Sequence, residues 1–101
     1  MLFRSEEDLK VKLVGLTIQD ARNGGIVIDS EGGTLEIKNT IVNNCYHNSS
    51  GGGISARDLD SLKISYCFIS QNESGSYSGG VYTWDVDNIN INHSTIVDNY
   101  N

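Results

Sequence analysis

Two short acidic segments, Asp58-Leu59-Asp60 and Asp85-Val86-Asp87, lie 27 residues apart and read as two copies of one corner. In an extended chain, alternation points both carboxylates of each segment to the same side, and stacking the segments would bring four carboxylates within about 5 Å of a neighbour. Carboxylates that close repel or share a proton unless a hard cation bridges them, and Ca²⁺ takes six to eight oxygens. Asp58, Asp60, Asp85 and Asp87 are therefore the candidate metal ligands and Ca²⁺ the candidate cofactor, with Glu31 aligned to Asp58 one repeat earlier. The competing reading is ordinary, solvated, turn-forming aspartate.

A second set of residues suits sugar rings, whose apolar faces stack on aromatics while their hydroxyls take hydrogen bonds. Tyr46 and His47 fall in a polar stretch, residues 43–51, and Tyr77 falls in another, residues 70–78. Tyr82 and Trp84 flank Thr83, so alternation turns both outward beside Asp85 and Asp87. Tyr46, His47, Tyr77, Tyr82 and Trp84 are the candidate ligand-binding residues. For catalysis the residues offer little, with no Ser-His-Asp or Cys-His arrangement, no zinc spacing and no phosphate loop. Arg57, adjacent to Asp58, is the one candidate base, and an Arg beside an Asp is ordinarily a surface ion pair.

These residues are placed by a repeat. Glycine pairs recur at Gly24-Gly25, Gly52-Gly53 and Gly79-Gly80, at spacings of 28 and 27 residues. Each is followed by an alternating triplet: Ile26-Val27-Ile28, Ile54-Ser55-Ala56 and Val81-Tyr82-Thr83. A second pattern follows in Val11-Lys12-Leu13, Leu35-Glu36-Ile37, Leu62-Lys63-Ile64 and Ile89-Asn90-Ile91. A third sets Ile18, Ile41, Ile69 and Ile96 ahead of Asp20, Asn44, Asn72 and Asn99. From the third pattern to the next glycine pair, the second and third repeats are longer than the first, so residues 43–51 and 70–78 form adjacent protruding loops, where binding residues commonly lie.

Three short alternating segments per repeat, separated by Gly, Asn or Asp, are strands and turns, and one such unit cannot bury its own apolar side chains. Stacked at the strand spacing of about 4.8 Å, the units form an all-β parallel solenoid of about three and a half coils of roughly 27 residues. The expected inward columns are Val11/Leu35/Leu62/Ile89, Leu13/Ile37/Ile64/Ile91, Ile18/Ile41/Ile69/Ile96 and Ile26/Ile54/Val81. Lys12, Glu36 and Lys63 alternate in sign on the outer face and favour register. Asn44, Asn72 and Asn99 are expected to turn one corner and stack as an amide ladder, since Asn tolerates left-handed backbone. Residues 1–10 form an N-terminal extension or cap, with Ser5-x-x-Asp8 able to start a short helix or to lie in a tail, and residues 11–101 form the repeats.

The run Leu35-Glu36-Ile37-Lys38-Asn39-Thr40-Ile41-Val42-Asn43-Asn44, a loop and then Gly52-Gly53-Ile54, with its counterpart from Ile89 to Asn99, resembles the right-handed parallel β-helix repeat. That repeat occurs in the pectin-lyase-like superfamily and in repeat-rich bacterial surface proteins. The resemblance implies the fold from about Val11 onward and a choice of functions, among them polysaccharide lyases and hydrolases, adhesins and tailspikes. Calcium bound by acidic residues outside the helix is a property of the related lyases. The N-T-D, D-D and H-G motifs of the polygalacturonase-like hydrolases are not met, since Asn39-Thr40-Ile41 lacks the acid.

With 7 Lys+Arg against 13 Asp+Glu, the net charge is −6, and no cation follows Lys63. Nucleic acid and anionic membranes need clustered cations, which this surface does not offer. No apolar run approaches the roughly 18 residues of a membrane helix, and Met1 to Asp8 lacks the segments of a signal peptide. Cys45 and Cys67 are not in a metal spacing, and the sequence leaves a disulfide and two free thiols both open. The sum is a noncatalytic module of an extracellular or cell-surface protein that binds polysaccharide or glycan or serves as an adhesin-like scaffold, and whose open strand edges could pair it with a second copy. The alternative is a fragment or diverged relative of a calcium-dependent polysaccharide lyase or glycoside hydrolase, with Arg57 as base.

Overall fold

A computed structural model describes residues 1–101. The chain winds through four coils of strands. The first holds β1 (Leu2–Arg4), β2 (Leu9–Val14) and β3 (Thr17–Gln19), and the second β4 (Ile26–Asp29), β5 (Gly33–Lys38), β6 (Ile41–Asn43) and β7 (Tyr46–His47). The third holds β8 (Ile54–Ser65), β9 (Phe68–Ser70) and β10 (Glu73–Ser74), and the fourth β11 (Val81–Asn92) and β12 (Thr95–Val97). Every pairing is parallel and joins equivalent strands of successive coils: β1-β4-β8-β11 and β2-β5-β8-β11 on one wall, β3-β6-β9-β12 on a second, and β7-β10 on a third. The all-β parallel solenoid is the architecture that the repeat demands.

Three of the four inward columns have the expected register. Val11 pairs with Leu35, Leu35 with Leu62 and Leu62 with Ile89; Leu13, Ile37, Ile64 and Ile91 follow two residues on; Ile26, Ile54 and Val81 form another stack. Ile26, Ile28, Leu35, Ile37, Ile54, Leu62 and Ile64 are fully buried, and each contributes about 1.5–3 kcal/mol. The fourth column needs a correction. Ile18 pairs with Val42, Val42 with Ile69 and Ile69 with Ile96, so the inward residue of coil two is Val42 at 0% exposure and Ile41 lies outside at 42%. The interval from the preceding inward residue decides it. Leu13 to Ile18, Ile64 to Ile69 and Ile91 to Ile96 each span five residues, and from Ile37 the fifth is Val42.

The amide ladder also differs by one step. Asp20, Asn44, Gln71 and Asp98, each two residues beyond the inward column, hold the left-handed corner with φ of 61°, 53°, 55° and 56°. Asn44 bonds sideways there, Nδ2 donating to Asp20 Oδ1 at 2.8 Å. The ladder runs one residue further on, through Asn72 and Asn99. Asn72 Oδ1 accepts from Cys45 N, and Asn99 Oδ1 accepts from Asn72 N. Nδ2 of Asn72 donates to Val42 O, and Nδ2 of Asn99 to Ile69 O. Asn44 is not part of it.

A second left-handed corner carries Gly15, Asn39, Tyr66 and His93. Tyr66 at φ 53° is an unfavourable choice for a bulky residue, and its ring stacks on His93. The glycine pairs have a steric reason: a Cβ on Gly53 would lie 2.7 Å from Gly80 O and 2.8 Å from Asn72 Nδ2. On the outer wall Glu36 bridges Lys12 at 3.7 Å and Lys63 at 3.9 Å, the alternation expected of that row.

The first ten residues are not an appendage. Leu2, Phe3 and Arg4 pair in register with Val27, Ile28 and Asp29, so the segment completes coil one, and residues 5–8 form a bend with no helix. Ser5 Oγ accepts from Glu7 N within this bend. Cys45 and Cys67 are buried free thiols at different corners, and loss of solvent is the main cause raising both above the ordinary thiol range.

Candidate functional site

The outward positions of the first wall form two columns. Leu2, Val27, Ser55 and Tyr82 pair in succession, and Arg4, Asp29, Arg57 and Trp84 do so two residues on. The loops of coils two and three rise beside them. Their paired strands put Tyr46 against Glu73 and His47 against Ser74, and the bridge between Gly51 and Ser78 closes the far side. Wall and loops enclose a groove of about 400 Å³ lined by Arg4, Val27, Asp29, His47, Ser49, Ser50, Ser55, Arg57, Tyr77, Tyr82 and Trp84.

Four of the five expected ligand-binding residues meet in this groove. Tyr77 and Tyr82 stack with ring centroids 5.2 Å apart and planes 26° apart, Trp84 follows on the same strand as Tyr82 at 56% exposure, and His47 lies on the loop side. Tyr46 is not with them: it is half-buried in β7, neighbouring His47, and alternation turns it to the other face. Arg57 does lie in the groove, one coil from Trp84 and one from Asp29.

Arg4, Asp29, Ser49, Ser50 and Ser55 were not singled out from the sequence. For Asp29 and Ser55 the signal was present, since Ser55 holds the outward place of its triplet, as Tyr82 does, and Asp29 the place just after its triplet, as Trp84 does. Arg4 carried no such signal, because β1 has no glycine pair ahead of it.

The acidic corner is a separate, shallow depression of about 420 Å³ lined by Glu31, Gly32, Asp58, Leu59, Asp60, Asp85 and Asp87. Asp58 and Asp85 take left-handed φ of 57° and 55°, which breaks the alternation assumed for the acidic segments. Leu59 turns into the core, and Asp60 Oδ2 accepts from Gly33 N at 3.0 Å. Loss of solvent raises the Asp58 carboxyl above the ordinary aspartate range; a hydrogen bond with Asp85 and its negative charge add to the rise, Asp29 adds further, and Arg57 opposes it. No three His, Cys, Asp or Glu side chains of the chain converge to hold a metal ion, so these residues as placed do not fit the six to eight oxygens of Ca²⁺.

A model of the right-handed β-helix region matches residues 2–101, nearly the whole chain. The chain belongs to the right-handed β-helix family. The match begins at Leu2, the first residue of β1. No curated protein and no solved structure matches the chain at a significant level. Within the β-helix family fold, the groove lies where outward side chains of four parallel strands face the protruding loops of the coils below.

Proposed function

We propose that this β-helix is a noncatalytic carbohydrate-binding module of an extracellular or cell-surface protein, and that a glycan chain lies in the groove along the stacking direction. One observation carries the reading: Tyr77, Tyr82 and Trp84 line a single groove whose remaining walls, Val27 apart, are hydrogen-bonding groups. Aromatic faces supply area with little side-chain entropy to lose, and Asp29, Arg57 and the serines supply polar partners for ring hydroxyls. All four coils contribute wall residues to the groove, so a polymer laid along the stacking direction would meet each in turn.

Trp84 is the sole tryptophan, so its emission reports on the groove directly. The test is a fluorescence titration against a panel of neutral and acidic polysaccharides, with thermal unfolding in parallel, because a ligand of the native state raises its stability. Binding to at least one glycan is expected, with Trp84→Ala and Tyr82→Ala each weakening it by about tenfold or more. No response across the panel, at concentrations where the protein stays folded, rejects the reading.

The enzymatic alternative, a diverged polysaccharide lyase or hydrolase with Arg57 as base, draws support from the place of Arg57 beside Trp84. It requires cleavage of a uronate polymer that Arg57→Ala abolishes. The same panel, assayed for chain shortening and new unsaturated ends, separates the two.

A further inference from the structure

We propose that His47 is the positioning residue of the groove: its neutral imidazole latches the loop of coil two in place, and protonation releases it. The inference rests on the carbohydrate reading only for the purpose of the latch, not for its existence. Backbone N–H groups of Ser49 and Ser50 both donate to His47 Nδ1, at 3.1 and 3.0 Å. A backbone N–H has no acceptor capacity, so Nδ1 is the unprotonated nitrogen and the proton of the neutral ring sits on Nε2. The Ser49 and Ser50 hydroxyls lie 3.5 and 3.4 Å from the same nitrogen.

The latched loop is wired to the aromatics. Ser50 Oγ accepts from Ser55 Oγ at 3.1 Å, which ties the loop to the groove floor. Ser49 O accepts from Tyr77 N and from Ser74 Oγ, both at 2.9 Å, and Tyr77 carries the ring that stacks on Tyr82. The path from imidazole to stacked tyrosines is therefore a short series of direct contacts. A proton on Nδ1 would turn the shared acceptor into a third donor facing two others, and both latch bonds would be lost.

Other ionisable groups share the two clefts that the ring borders: Arg4, Asp29 and Arg57 on the wall, Tyr77 and Tyr82 from later coils, and Arg22 with the Met1 amino group on the far side. From about pH 7 to pH 5 guanidinium, carboxylate and phenol groups ordinarily keep their charge and an α-amino group is already largely protonated, whereas imidazole is the side chain that changes. The latch is thus a pH-dependent element at the edge of the groove.

Amide resonances of Ser49 and Ser50, followed by two-dimensional NMR as the pH falls from about 7 to 5, should move with the His47 ring signals, with the Tyr77 amide following. Their hydrogen exchange, corrected for intrinsic rate, should quicken about tenfold or more. His47→Asn offers a carbonyl acceptor that does not protonate and should hold the loop without pH dependence; His47→Leu should leave it unlatched at every pH. With cellohexaose or whichever panel glycan binds, affinity should fall about tenfold over this range in the parent chain and stay constant in His47→Asn. Ser49 and Ser50 amides that stay still while the ring titrates would overturn the latch, as would a pH dependence surviving in His47→Asn. If no glycan binds at any pH, the amide titration still decides the latch, and the carbohydrate reading alone fails.

Discussion

Asn72 and Asn99 stack one coil apart, with Nδ2 of Asn72 3.0 Å from the Oδ1 of Asn99 that also accepts Asn72 N. Asn72 is fully buried, and its amide satisfies Cys45 N above and Val42 O beside it. Asn72→Ala orphans a buried donor and a buried acceptor and should cost at least about 2 kcal/mol in chemical denaturation. Asn44→Gly, which keeps the left-handed corner available, removes only the exposed bond to Asp20 and should cost less than about 1 kcal/mol. Equal costs would mean that the ladder is placed at the wrong step.

The corrected column is testable by charge, with the neighbouring Ile64 column as the buried standard. Ile64, between Ile37 and Ile91, is fully buried, and Ile64→Asp should abolish the cooperative melting transition followed by circular dichroism. Ile41→Asp places the same charge on an outward side chain and should change stability by about 0.5–1 kcal/mol at most. A collapse of the fold in Ile41→Asp would restore Ile41 to the interior.

The raised Asp58 carboxyl has a definite sign. The folded chain binds that proton more tightly than the unfolded chain, so the favourable contribution is complete below the ordinary aspartate value of about 4 and fades as the pH rises through the raised value. Asp58→Asn should therefore melt at a higher temperature than the parent near pH 7, and the gap should close below about pH 4. A gap that widens in acid would show that Asp58 is stabilised as a carboxylate. Because no three acidic groups converge, millimolar calcium should leave the parent melting temperature within about 1 °C, and a larger calcium-dependent rise would assemble a site from the acidic corner after all.

Burial raises the thiols of Cys45 and Cys67, and the reactive species is the thiolate. Neither should react with a disulfide reagent at neutral pH in the native protein, and both should react in denaturant. Fast reaction of either thiol in the folded state would place its corner among the locally opening parts of the stack.

Much of the architecture was legible in the sequence because a solenoid writes its contacts as a period. Leu35 above Leu62 and Glu36 between two lysines follow from spacing alone. The misreadings arose where two neighbouring residues could each fill one place. Ile41-Val42 offers two apolar side chains for one inward position, and Asn43-Asn44 offers amides ahead of a ladder position that coil two gives to Cys45. Of the groove, Tyr82 and Trp84 were legible through alternation. The latch was not, because the bonds to His47 come from its own loop, whose backbone path no repeat specifies.

Coil two is one residue longer than coil three between two of its inward columns, Ile26 to Leu35 against Ile54 to Leu62, and the surplus lies at Ser30-Glu31-Gly32-Gly33, where both glycines take positive φ. The stack above and below keeps its pairing across that corner. The fold therefore has a reading frame with tolerant and intolerant sites. A single inserted residue at this corner is absorbed locally, a whole inserted coil restores the phase, and one residue added within Leu62-Lys63-Ile64 would turn every later side chain of that strand inside out.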